Sequence, residues 1–192
     1  MLLAITCVAG LSAYSQSFTH GVGSSLFLDK PKDQDMGVSA GLTYAPRFNF
    51  LERDEMSLSI GVPMTVGFSG SIGGGSVSSG DRDPLSLMLD APLILNLNLG
   101  CGSSLESERG FGFFVGGGFG YHYGAVNDSR KDEYGISYND KKKGSTMGPA
   151  GNVGVRFSVG AEAQSAEVKL GYMKGMNDSK LQIYSLTLLY NF

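Results

Sequence analysis

The 192-residue chain has no Trp, only two Cys, and no stretch approaching ~20 apolar residues in a helical pattern. Each scarcity removes a class of protein. Without such a run, no helix can cross a bilayer. Cys7 lies within residues 1–15, in an Ala4-Ile5-Thr6-Cys7 context that lacks the features of a lipoprotein cleavage box. Cys101 is then left without a partner, which excludes a disulfide framework, and one Cys makes a poor metal site. A formal net charge of -3 and the lack of a basic patch with interleaved aromatics exclude nucleic acid as a partner. Gly73-Gly74-Gly75 is not followed by a helix or a Lys-Ser/Thr pair, so it is no phosphate loop.

Charge is also missing where a soluble sheet would need it. From Met56 to Phe68 every even position is apolar (Met56, Leu58, Ile60, Val62, Met64, Val66, Phe68), while the odd positions are Ser, Gly, Pro or Thr. Successive side chains of a strand point to opposite faces, so one face is greasy and the other carries very small groups. Water would select Lys, Glu or Arg for the second face. Lipid outside and a crowded barrel lumen inside select this pattern instead.

The alternation recurs with turn chemistry between repeats. It predicts strands near residues 18–28, 36–44, 56–68, 85–99, 111–125, 149–159 and 166–173, and a last one that places Tyr184, Leu186, Leu188, Tyr190 and Phe192 outward. The leucines of 85–99 have period 2, and the prolines with Asn96 and Asn98 forbid a helix there. Eight strands read as an all-β, eight-stranded antiparallel up-and-down transmembrane barrel, whose closure removes every unpaired edge from a solvent that cannot satisfy one. Connections 69–84 and 126–148 are the longest. Those at 47–55, 100–110 and 160–165 are compact on the whole. Short turns belong to the periplasmic side of such barrels, which would put both termini there.

Residues 1–15 are uncharged, with an apolar run and small residues at Ala13 and Ser15 that suit signal cleavage. The expected organisation is a signal peptide over 1–15, truncated at its start because the positive region is missing, and a barrel over 16–192.

Read together, the signal, the eight strands and the terminal alternation resemble the small eight-stranded outer-membrane barrels of Gram-negative bacteria, the OmpX-like and OmpA transmembrane-domain-like proteins. The resemblance covers about Gln16 to Phe192. It implies location in the outer membrane, contact with its lipid and lipopolysaccharide, and Tyr184, Leu186, Leu188, Tyr190 and Phe192 as the signal read by the barrel-assembly machinery, through addition of a terminal strand to an open edge. No globular domain follows the barrel, so peptidoglycan binding is not implied.

Candidate site residues fall on the inward face: His20, Asp90, His122, Arg156, Glu167 and Lys169. Pairing around the connection near Glu106 brings Asp90 opposite His122. That pair reads either as a carboxylate orienting a general base or as a buried polar plug. Arg156, Glu167 and Lys169 on neighbouring strands read as a charge-compensated lumen network. An eight-stranded lumen is filled by its own side chains, which argues against an open pore. The run Lys141-Lys142-Lys143 would attract lipopolysaccharide phosphates, or is a solvated loop. No catalytic, metal or cofactor-binding residues are assigned.

Function is read at three levels. The first is a non-enzymatic anchor displaying loops for adhesion, envelope integrity or partner contact. The second is an accessory subunit of a larger outer-membrane complex, with a membrane protein as partner. The third is a lipid A-modifying enzyme, against which stands the lack of a hydroxyl nucleophile beside His122, followed as it is by Tyr123 and Gly124. A soluble ligand-binding barrel is the rival fold, separable by membrane fractionation.

Overall fold

A computed structural model describes residues 16–30, 36–53, 55–71, 86–104, 107, 109–131, 137–160, 164–176 and 181–192, and of 70–71, 125–131 and 137–143 the backbone alone. Among these residues there is no helix, and twelve strand segments form one antiparallel sheet. The segments make eight staves. The first four staves are each broken once: β1 (Ser17–Thr19) with β2 (Gly21–Lys30), β3 (Gly37–Tyr44) with β4 (Arg47–Arg53), β5 (Met56–Gly61) with β6 (Met64–Ser71), and β7 (Ser86–Asp90) with β8 (Leu93–Gly100). The last four are continuous: β9 (Phe111–Lys131), β10 (Ser137–Ser158), β11 (Ser165–Lys174) and β12 (Gln182–Asn191). Pairing of β12 with β2, from Gln182 opposite Lys30 to Asn191 opposite Gly21, closes the barrel.

Three of the four breaks fall at Ala45-Pro46, Val62-Pro63 and Ala91-Pro92. Proline has no N–H for the ladder, so each of these staves loses a bond and turns there. Flanking groups bridge the gaps, with Ala45 N–H donating to Gly21 O at 2.7 Å and Ala91 N–H to Tyr121 O at 2.8 Å. The stave expected to run unbroken from 56 to 68 is therefore two segments, although its alternation holds: Ser57, Ser59, Thr65 and Ser69 are buried while Met56, Ile60, Met64, Val66 and Phe68 are exposed to the lipid side.

Three expectations from the sequence need correction. Residues 47–53 are a strand, not part of a connection, because Pro46 only kinks the stave and does not end it. The connection expected over 126–148 is mostly strand as well: β9 and β10 pair from Phe111 opposite Phe157 up to Lys131 opposite Ser137. Beyond the apolar belt both faces of a ribbon meet water, so the alternation that marks a stave fades although the ladder continues. His20, expected inward, lies on the outer face, where Phe18, Tyr44 and Phe192 surround it and its Nδ1 is 2.7 Å from Tyr44 Oη.

Outward positions elsewhere carry the expected apolar groups. Leu26, Leu42, Leu93, Phe119, Val153, Leu170 and Leu188 are all about half exposed or more. Residues 1–15 lie outside the described residues, as do the side chains of Lys141, Lys142 and Lys143, whose backbone belongs to β10.

Candidate functional site

The alternation that faces Leu and Phe outward drives every other side chain into a lumen only eight staves wide, so neighbours there must pair or pack. Nearest the rim that carries both chain ends, Arg156 of β10 is fully buried. Its Nε donates to Glu167 Oε2 at 2.7 Å, its Nη1 donates to Asn98 Oδ1 at 2.9 Å, and its Cζ lies 4.2 Å from the Phe114 ring centroid. The same Glu167 oxygen accepts from Arg47 Nη1 at 3.5 Å and from Asn191 Nδ2 at 3.3 Å. Asn98 passes the network on, its Nδ2 donating to Ser59 Oγ at 2.9 Å and Ser57 Oγ at 3.1 Å. Beside it, Ser17 donates to the Glu52 carboxylate and accepts from Asn49 Nδ2 at 2.9 Å.

The middle layer is hydroxylic. Thr187, Ser25, Thr43 and Thr65 form a chain across four staves, with successive oxygens 2.8, 2.6 and 2.8 Å apart. Lys169, one inward position farther from the termini than Glu167, is buried and lines two small voids of about 50 and 30 Å³ together with Asn152. The Oδ1 atoms of Asn96 and Asn152 have no protein partner and border the smaller void, which is polar and large enough to hold water.

Toward the other rim the lumen turns apolar. Phe27, Met88, Met173, Leu181 and Ile183 pack into one buried cluster, and His122 lies against it with its ring centroid 5.8 Å from that of Phe27. His122 Nδ1 is 3.1 Å from Asp90 Oδ1 and its Nε2 is 3.8 Å from Asp29 Oδ2, so the imidazole stands between two carboxylates. Ser39 donates to Asp29 Oδ2 at 3.4 Å. A catalytic triad needs the hydroxyl bonded to the imidazole. Here the hydroxyl reaches only the acid, and the ring is 2 % exposed. The arrangement clamps the staves together.

Of the residues singled out in the sequence, Asp90 stands with His122 and Arg156 with Glu167, while Lys169 occupies the layer between the two pairs. Sequence reasoning missed Arg47, Glu52 and Asp29, all of which are buried. It placed them in connections, although Arg47 and Glu52 share inward parity once the Pro46 kink and the bulge between Asn49 and Leu51 are counted. It also missed the inward Phe27, Met88, Ile94, Phe114, Met173, Ile183 and Leu189, which parity alone locates. The inward glycines complement them: a Cβ on Gly154 would strike the Phe114 ring, and one on Gly120 the Met173 sulfur.

An apolar girdle outside, a filled polar lumen and a closed eight-stave sheet define the architecture. The chain has the fold of the small eight-stranded outer-membrane β-barrels. Ail, the attachment invasion locus protein of Yersinia pestis, superposes with a TM-score of 0.59 at 11% identity over 93% of this chain and 99% of Ail. Its complex with the heparin analogue sucrose octasulfate gives 0.55 at 12% identity over the same shares of the two chains. Neisserial surface protein A gives 0.51 at 10% identity over 92% of this chain and 97% of that one. No family model and no curated protein matches the sequence. What this outer-membrane barrel fold keeps at such low identity is the alternation and the closure, because lipid imposes both.

Proposed function

We propose that the protein is a non-enzymatic outer-membrane anchor that displays the loops of the rim opposite its chain ends, for adhesion, envelope integrity or contact with a partner. The observation that carries this reading is the lumen, blocked by a salt-bridged layer at one end and an apolar cluster at the other. A barrel so filled offers neither a solute path nor an accessible catalytic group, and what it still presents to its surroundings is its rims. The long β9–β10 hairpin projects farthest, with the Lys141-Lys142-Lys143 run on its backbone as a contact for lipopolysaccharide phosphates. The reading takes both termini as periplasmic, residues 1–15 as a cleaved signal, and the terminal strand through Phe192 as the assembly signal. One barrel of the same fold is named for attachment and invasion. Its name supports adhesion as the first role to test.

The test compares cells expressing the full chain with cells whose residues 126–143 are replaced by a two-residue turn. Expected is a barrel that still shows heat-modifiable migration on gels while surface binding is lost, with lipid A mass unchanged in a deletion strain. Equal binding by both forms, or altered lipid A, would overturn the reading.

A further inference from the structure

We propose that the rim carrying the chain ends holds a binding site for one anionic diacyl phospholipid, in a groove across β5, β8 and β9. The groove encloses about 640 Å³ and is lined by Arg53, Glu55 and Arg109 above, and by Met56, Leu99, Phe111 and Phe113 below, with Gly100 and Gly112 between. The two glycines make the depression. They pair across the β8–β9 ladder, where Gly100 has φ +75° and a Cβ on Gly112 would meet the backbone of Cys101. Arg109 donates through Nε to Glu55 Oε1 at 2.7 Å and holds the acid at the groove's edge, leaving its third nitrogen and the Arg53 guanidinium for another anion. The described lining thus carries two guanidiniums against one carboxylate.

Chemistry divides the groove by depth. Its charged part lies at the turns, level with the aromatic girdle that the Phe111 and Phe157 rings continue, 5.4 Å apart. Its apolar part runs down the lipid face, where Met56, Phe111 and Phe113 are about half exposed. A phosphodiester between the arginines and an acyl chain against Met56, Leu99 and Phe113 satisfy both parts at once. A soluble protein could reach only the upper part. The outward residues around the rest of this rim are Phe18, His20, Phe48, Phe157, Tyr190 and Phe192, so the described arginines of the rim's outer surface gather at this one place. The lipid's identity as a phospholipid, in place of lipopolysaccharide, rests on the proposed orientation of the barrel.

Native mass spectrometry of the purified barrel with phosphatidylglycerol and phosphatidylethanolamine tests the site. Expected is retention of one phosphatidylglycerol in preference to phosphatidylethanolamine, falling about tenfold in R53Q/R109Q, since each guanidinium near a membrane surface contributes roughly fivefold and one is shared with Glu55. R53K/R109K should retain the preference for phosphatidylglycerol, and L99W, which fills the apolar part, should lose retention while both arginines remain. Heat-modifiable migration checks that each variant is folded. Equal retention of the two lipids, or unchanged retention in folded R53Q/R109Q, would overturn the site. Labelling of Q16C in intact cells by an impermeant maleimide reads the orientation separately: absence of labelling supports the periplasmic rim, and labelling overturns the assignment to phospholipid.

Discussion

Glu167 accepts at a single oxygen from donors on three other staves, Arg156 on β10, Arg47 on β4 and Asn191 on β12. Removing one member of a buried ion pair leaves the other charge uncompensated, so Arg156→Ala or Glu167→Gln should each cost about 3–5 kcal/mol, read as a lower urea midpoint of the barrel in detergent. Gly154 lies against Phe114, and Gly154→Ala should cost about 1–3 kcal/mol by overpacking in the same assay. Cys101 sits in the turn after β8, where burial pushes its thiol above the ordinary cysteine range. Less thiolate at a given pH means slower attack. An Ellman assay at pH 8 should therefore find the folded protein nearly unreactive and the denatured protein fully titrated. At this scale the sequence was readable wherever alternation ran unbroken, as it does for Asp90, His122, Arg156 and Glu167. It misled at His20, which lies on the outer face beside the break between β1 and β2, and at Arg47, which follows Pro46. An expectation of a small-residue lumen also concealed Phe27, Met88 and Phe114, although each occupies an inward position.

Strands behave differently inside and outside the belt. The lipid-facing staves were legible because hydrocarbon punishes every polar outward residue. The outer half of the β9–β10 hairpin carried no such constraint and read as loop. Its ladder adds local stability but does not help close the barrel, so shortening it over 126–143 should leave the urea midpoint of the remaining barrel within ~0.5 kcal/mol. The last strand is the opposite case. Phe192 N–H donates to His20 O at 2.8 Å and His20 N–H to Phe192 O at 3.0 Å, and the two rings stack with centroids 5.8 Å apart. Closure of first stave on last thus includes the terminal residue itself, and deletion of Phe192 should slow refolding into lipid vesicles, followed by the gel shift.

As a whole the molecule is a plugged cylinder with its obstructions in series. Planar-bilayer recordings should show no stable large conductance, and opening the apolar cluster alone, by F27G/I183G, should not create one because the Arg156 layer still blocks the lumen. The fold could be read from the sequence almost entirely, because a closed sheet in lipid leaves few choices. The layering inside was harder to read: it depends on which staves stand opposite one another across the axis, and alternation says nothing of that.

The breaks have a consequence for how the cylinder gives way. All four fall in the first four staves, which stand side by side, whereas β9, β10, β11 and β12 run straight. One flank is therefore jointed at mid-height and the other is a stiff plank, so a membrane that thins or stretches will bend this protein toward one side. Amide exchange should be fastest along that joint, next to Pro46, Pro63 and Pro92, where missing donors have already thinned the lattice.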